Sequence, residues 1–273
     1  MALGDVGKRV SSSLAGVIKD AGDIVGTTME ITRENIVDGL RTARDVVTEA
    51  SAQAGDAVAG AIHAACQAGA ELTSTARGAV VGAMKGVGEV TTVTAATVGD
   101  TIRAAIKGAS EAGGDVSKVA RGAAEGAVEG AKSVGLKVED IASSVPRGAI
   151  QGATEIGADI GAVVRNTVQG VTSGSKQAGG DVITAIQSTA HGSIKATAEV
   201  GGDLASAARN AVEGAIEGAK AIGVNAEEAA SAAATGAVAA ARDISEAAFS
   251  TVKNAVTGTI SGIRVILKAP FKD

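Results

Sequence analysis

Gly201-Gly202-Asp203-Leu204-Ala205-Ser206-Ala207-Ala208-Arg209-Asn210-Ala211-Val212-Glu213-Gly214-Ala215-Ile216-Glu217-Gly218-Ala219-Lys220-Ala221-Ile222 is one of seven 22-residue segments that run without a gap from Gly113 to Ile266. One Gly series falls at 113, 135, 157, 179, 201 and 223, and a second at 126, 148, 170, 192, 214, 236 and 258. The N-terminal half keeps the rule more loosely, with units opening at Ala21, Ala43, Ala65 and Val87 and four extra residues, 109–112, before Gly113. Asp23, Glu34, Asp45 and Asp56 are spaced by 11, so the 22-residue unit is a doubled 11-residue period. Eleven residues in three turns is about 3.67 per turn, close to an α-helix and incompatible with the alternation of a strand. Larger apolar residues (Leu204, Val212, Ile216, Ile222) gather with Ala on one sector, while Arg209, Glu213, Glu217 and Lys220 lie opposite. The reading is all-α: long Gly/Ala-rich helices with 11/22-residue repeats, packed as an antiparallel bundle, rod or helical solenoid. It divides the chain into an N-terminal hendecad helical region (1–112), seven repeats (113–266) and a C-terminal tail (267–273).

Turn chemistry is concentrated in the second half. Gly113-Gly114-Asp115, Gly179-Gly180-Asp181 and Gly201-Gly202-Asp203 read as a Gly helix end followed by an Asp N-cap. In Gly223-Val224-Asn225, the Gly ends a helix and Asn225 caps the next, with Glu228 as its capping-box partner. Thr42-Ala43-Arg44-Asp45-Val46 and Ala64-Ala65-Cys66 carry no turn signal. Long helices running through these boundaries are therefore expected before Gly113, and Gly-marked hairpins after it.

The most specific chemical pattern is small-xxx-small. Gly78/Gly82, Gly126/Gly130, Gly148/Gly152, Gly170/Gly174, Gly214/Gly218 and Gly258/Gly262 are GxxxG pairs, and Gly192 and Gly236 head Gly-xxx-Ala versions. Missing side chains at helical spacing let a second backbone approach closely, so these are the expected helix-packing positions. The partner helix is in the same chain or in another copy.

Composition limits function. Trp and Tyr are absent and Phe occurs twice, so Ala, Val and Ile must build a thin core. A net charge of −5, spread along the chain, offers no basic track for nucleic acid. The single Cys66 fits a reducing, cytoplasmic setting, and no charge-free stretch is long enough for a conventional transmembrane helix. Gly126 to Ser133 has the wrong spacing for a phosphate loop. His63 with Cys66 supplies too few ligands for zinc, and His191 sits in a polar slot of the repeat. No catalytic, cofactor or metal residues are therefore expected, nor is enzymatic activity. The bulky run Ile263 to Phe271 reads as a terminal cap.

The stretch Gly78-Ala-Val-Val-Gly-Ala-Met-Lys-Gly-Val-Gly-Glu-Val-Thr-Thr-Val-Thr-Ala-Ala-Thr-Val98 resembles the 11-residue repeats of the synuclein and perilipin families in period and texture. The chain lacks the Lys-Thr-Lys-Glu-Gly core of synuclein repeats. The resemblance implies an amphipathic helix that coats a lipid or membrane surface. The residues themselves point first to a structural protein that self-associates, as a homo-oligomer or filament, through Gly/Ala-lined faces.

Overall fold

Most 22-residue units end in a turn because a left-handed glycine and a capping side chain recur two residues apart, and the computed structural model follows that punctuation. It describes residues 3–18, 22–43 and 46–267. The helices are α1 (Asp5–Ala15), α2 (Ile24–Thr42), α3 (Val46–Ala68), α4 (Leu72–Val90), α5 (Ala95–Glu111), α6 (Val116–Ser133), α7 (Val138–Ile141), α8 (Ser144–Glu155), α9 (Ile160–Ala178), α10 (Val182–Glu199), α11 (Leu204–Ile222), α12 (Ala226–Ile244) and α13 (Glu246–Val256). A two-stranded hairpin, β1 (Gly258–Ile260) and β2 (Ile263–Val265), follows.

Gly223 shows how a turn is made. It takes φ +71°, a conformation that a Cβ disfavours, and Val224 N–H then reaches the Ala219 carbonyl at 2.9 Å. Two residues after that glycine, Asn225 accepts from the amides of Glu227 and Glu228 and starts α12. The same Gly-X-cap device recurs at Gly69/Glu71, Gly113/Asp115, Gly157/Asp159, Gly179/Asp181 and Gly201/Asp203. At Gly135 the cap position holds Lys137, whose side chain accepts nothing; Asp140 instead accepts from the Lys137 amide. That unit is broken into α7 and α8. Pro146 cannot donate a bond back to Ala142, so the break falls just before it.

Consecutive helices lie antiparallel in two layers. One layer stacks α2, α4, α6, α9, α11 and α13; the other stacks α1, α3, α5, the α7/α8 pair, α10 and α12. This is a helical solenoid in which each helix touches its chain neighbours and the helices two before and two after it. Between the layers the buried apolar side chains are mostly Ala, Val and Ile, with Leu14, Leu40 and Met84 among the largest. An Ala methyl contributes only about 0.8 kcal/mol on burial, so stability must come from many short contacts. The accessible surface is 10890 Å² for a 26.3 kDa chain. A folded monomer of this mass is expected to expose about 10,600 Å². Among the described residues, no helix is long and apolar enough to cross a membrane.

Three expectations are corrected. First, no long helix runs through the N-terminal half. α2 stops at Thr42, where Ala43 turns extended, while α3 does run through Ala64-Ala65-Cys66 as expected but stops at Ala68, before the Gly69/Glu71 turn. Arg44 and Asp45 lie outside the described residues. The 22-residue period is thus a helix of about five turns plus a short connection, not six continuous turns. Second, the four extra residues lie in α3, which is 23 residues long, rather than at 109–112. Gly69 is already in phase with Gly113, and helices stack across residue 113 without a seam. Third, the seventh repeat is helical only to Val256. The β-branched residues Ile260, Ile263 and Val265 pair as a hairpin, with Ser261 and Gly262 at φ 48° and 80°, as a tight two-residue turn demands. Gly258 and Gly262 therefore belong to this hairpin, and neither lies in a helix-packing seam. The hairpin covers α12, and α13 covers α11. Of the expected tail, only Leu267 is described; residues 268–273, with Phe271, lie outside the described residues.

Candidate functional site

The sequence pattern of GxxxG pairs becomes a set of glycine seams, one along each stacked helix pair except α11 and α13, where α13 carries no glycine. A Cβ built on Gly126 in α6 would stand 2.5 Å from the Arg77 carbonyl oxygen of α4, far inside van der Waals contact. The seam then repeats with the repeat. Gly130 faces Met84, Gly148 faces Gly99, Gly152 faces Ile106, and Gly170 and Gly174 face Arg121 and Glu125. Further on, Gly192 faces Ser143, Gly214 and Gly218 face Arg165 and Thr172, and Gly236 faces Gln187. In the first layer, Gly78 and Gly82 face Val25 and Met29 of α2. In every case the partner helix belongs to this chain. Backbones this close gain dense dispersion contact and weak Cα–H···O bonds. Among the turn residues, Gly113, Gly179, Gly201 and Gly223 are left-handed, while Gly114, Gly180 and Gly202 donate the closing amide to the carbonyl five residues back. Asp115, Asp181, Asp203 and Asn225 accept from the first turn of their helices, and Glu228 donates its amide to Asn225.

Along the outer edges of the seams runs a ladder of ion pairs. In the first layer Arg77 of α4 meets Glu125 at 3.1 Å and Glu129 at 2.8 Å on α6. Arg165 of α9 binds Glu213, and approaches Glu217 at 3.9 Å, on α11. Arg33 of α2 reaches Glu89 of α4 at 2.8 Å. In the second layer Arg103 and Lys107 of α5 share Glu155 of α8, and Arg147 of α8 binds Glu199 of α10. His191 and Lys195 of α10 face Asp243 of α12 at 3.6 and 3.2 Å. Burial holds the His191 imidazole below its ordinary pKa, assisted by the Lys195 charge and opposed by Asp243. His191 is thus half-buried and part of the ladder. Half-exposed pairs of this kind contribute about 0–1 kcal/mol each, so they set register more than stability. His63 contacts Gln67 at 2.9 Å, and burial raises the Cys66 thiol pKa.

Sequence reasoning missed this ladder, although Arg33, Arg77, Arg121, Arg165 and Arg209 recur at every second unit. It also missed Asp56. Read only as a marker of the 11-residue spacing, Asp56 in α3 accepts from the amides of Gly4 and Gly7, both at 2.7 Å, and so caps α1 from another helix.

No protein-family model matches the chain, and no curated protein matches it in sequence. Among solved structures it is similar to the crystal structure of a de novo designed helical repeat protein. The two are 26% identical over 58% of this chain and 90% of that one, with a TM-score of 0.39.

Proposed function

We propose that the chain is a non-enzymatic scaffold: a closed helical solenoid that acts as a monomer and presents its charged edges to other molecules. The observation that carries this reading is the occupation of the glycine seams, each of which is filled by a helix of the same chain. Self-association through those faces would require helices to leave their stack. The same holds for a lipid coat of the synuclein or perilipin type, because the apolar sectors that would meet lipid line the space between the layers. The C-terminal end supports the same view. α13 and the hairpin cover the last full helices, and the exposed bulky apolar residues among the described ones are scattered as Val17, Ile244 and Ile266.

Sedimentation velocity and circular dichroism with and without anionic vesicles test the reading. A single species near 26.3 kDa, with helicity unchanged by vesicles, is expected. Defined oligomers, or helix that forms only on vesicles, would overturn it.

A further inference from the structure

The basic column of the second layer stops one rung short. Arg103, Arg147 and His191 recur every 44 residues, and each faces an acid 52 residues on: Glu155, Glu199 and Asp243. One step earlier the same spacing sets Ala59 of α3 against Glu111 of α5. That rung is built without its long side chain, and a groove of about 620 Å³ opens beside it. Ala52, Gly55 and Ala59 line the groove from α3, and Ala104 and Gly108 line it from α5. Gly55 packs on Ala104 and Gly108 on Ala59, so the two helices meet closely along a strip of small residues.

Carboxylates stand at both ends of this strip. Asp100 and Glu111 both line the groove, both are exposed, and they lie three turns apart on one side of α5, about 16 Å. Asp100 makes no ion pair among the described residues. Glu111 holds the place of Glu155 and Asp243, each of which takes two basic groups. The other charges of the lining are engaged elsewhere. Asp56 accepts from the Gly4 and Gly7 amides, and Arg103 and Lys107 share Glu155 on α8. Small apolar lining between two acidic ends suits an aliphatic chain with cationic ends, and the volume is that of a small-molecule site rather than of one side chain. We propose that the groove between α3 and α5 binds a linear aliphatic polyamine. Its methylene segments lie along Ala52, Ala59 and Ala104, and its terminal ammonium groups meet Asp100 and Glu111. The ligand supplies from outside the cation that Arg103 and Arg147 supply to the rungs that follow. The inference goes beyond the scaffold reading and fails separately, because sedimentation judges the monomeric solenoid whatever the groove binds.

Spermine titrated into the full chain at constant ionic strength, followed by calorimetry and backbone-amide NMR, tests the proposal. A saturable one-to-one complex is expected, with shifts confined to residues 51–59 and 100–111. Magnesium at equal charge should leave those signals in place. Ala59→Arg restores the basic side chain that the scaffold accommodates at Arg103 and Arg147, and should weaken spermine binding by about tenfold or more. Asp100→Asn, at an exposed position, should weaken it comparably, and it carries the test if circular dichroism shows that Ala59→Arg perturbs folding. Shifts that never saturate, that magnesium reproduces, or that persist undiminished in both variants would overturn the proposal. So would a trilysine peptide that binds this groove while spermine does not, since the cation would then belong to a protein partner.

Discussion

Replacing Gly126 by Ala sets two known effects against each other. Away from any neighbour, Ala in place of a mid-helix Gly stabilises by about 1 kcal/mol. At Gly126 the new Cβ would lie 2.5 Å from the Arg77 carbonyl oxygen and 3.0 Å from the Arg77 Cα. Ordinary contact begins near 3.4 Å, and the obstacle is backbone, so α4 and α6 must part by nearly an ångström. That movement strains packing by about 1–3 kcal/mol. It also weakens Cα–H···O contacts worth about 0.5–1 kcal/mol each along the seam. The net expectation is destabilisation by about 1–2 kcal/mol, despite the better helix former. Urea unfolding followed by far-ultraviolet circular dichroism measures it. Gly180→Ala is the control, because its Cβ would meet only ordinary contacts, the nearest at 3.6 Å, and the change should be neutral or slightly stabilising. A Gly126→Ala protein as stable as the parent, with an unchanged denaturant slope, would refute the seam geometry.

Gly201→Ala meets no atom within 4 Å but must hold φ +69°, so a loss of about 1 kcal/mol is expected in the same unfolding assay. Asp56→Ala removes the acceptor of two α1 amides and should cost about 1–2 kcal/mol. Hydrogen exchange should rise in α1 first, and uniform loss of protection would contradict the capping role. The Asp181 carboxyl is held below its ordinary 3.8 by the Thr184 amide, the Thr184 hydroxyl and the Ile183 amide. Its folded pKa is depressed, so its contribution is complete above 3.8 and is lost as pH falls through the lower folded value. The melting temperature of the parent should therefore fall more steeply in that acidic window than that of Asp181→Asn, and parallel curves would refute the cap.

Much of the fold was legible because Gly and Asp act locally. A left-handed Gly with an Asp or Asn two residues later needs no tertiary context, and Gly113, Gly179, Gly201 and Gly223 are turns on that ground alone. Where the cap is Glu71 the turn is built from a weaker capping residue, and before Thr94 no left-handed Gly stands at all, α4 ending in the extended Thr91, so the N-terminal boundaries carried weaker signals. The hairpin was hidden for another reason. Gly258 continues the glycine spacing, and only the cluster of β-branched residues around a Ser-Gly turn reveals that helix has given way to strand. For the seams, the sequence showed which glycines make contact but not with what. The partner lies two units away, and a 22-residue period reads the same for chains that fold back and chains that assemble. The ion ladder needed the doubled period to be noticed, since Arg77 and Arg103 mark different layers.

The extra turn in α3 shows how this architecture tolerates changes of length. Gly60 faces Gly7 and Gly78 faces Val25, each four residues further apart than the Gly126–Arg77 contact, so α1 and α2 have slid one helical turn and kept every seam. Insertions of one turn are absorbed at a single junction. Insertions of one unit are not. A lone added helix would exchange the layers of everything after it, setting the Arg121 and Arg165 edges where Arg103 and Arg147 now lie. Copy number in such a chain therefore has a parity, and it can lengthen or shorten coherently only by pairs of helices.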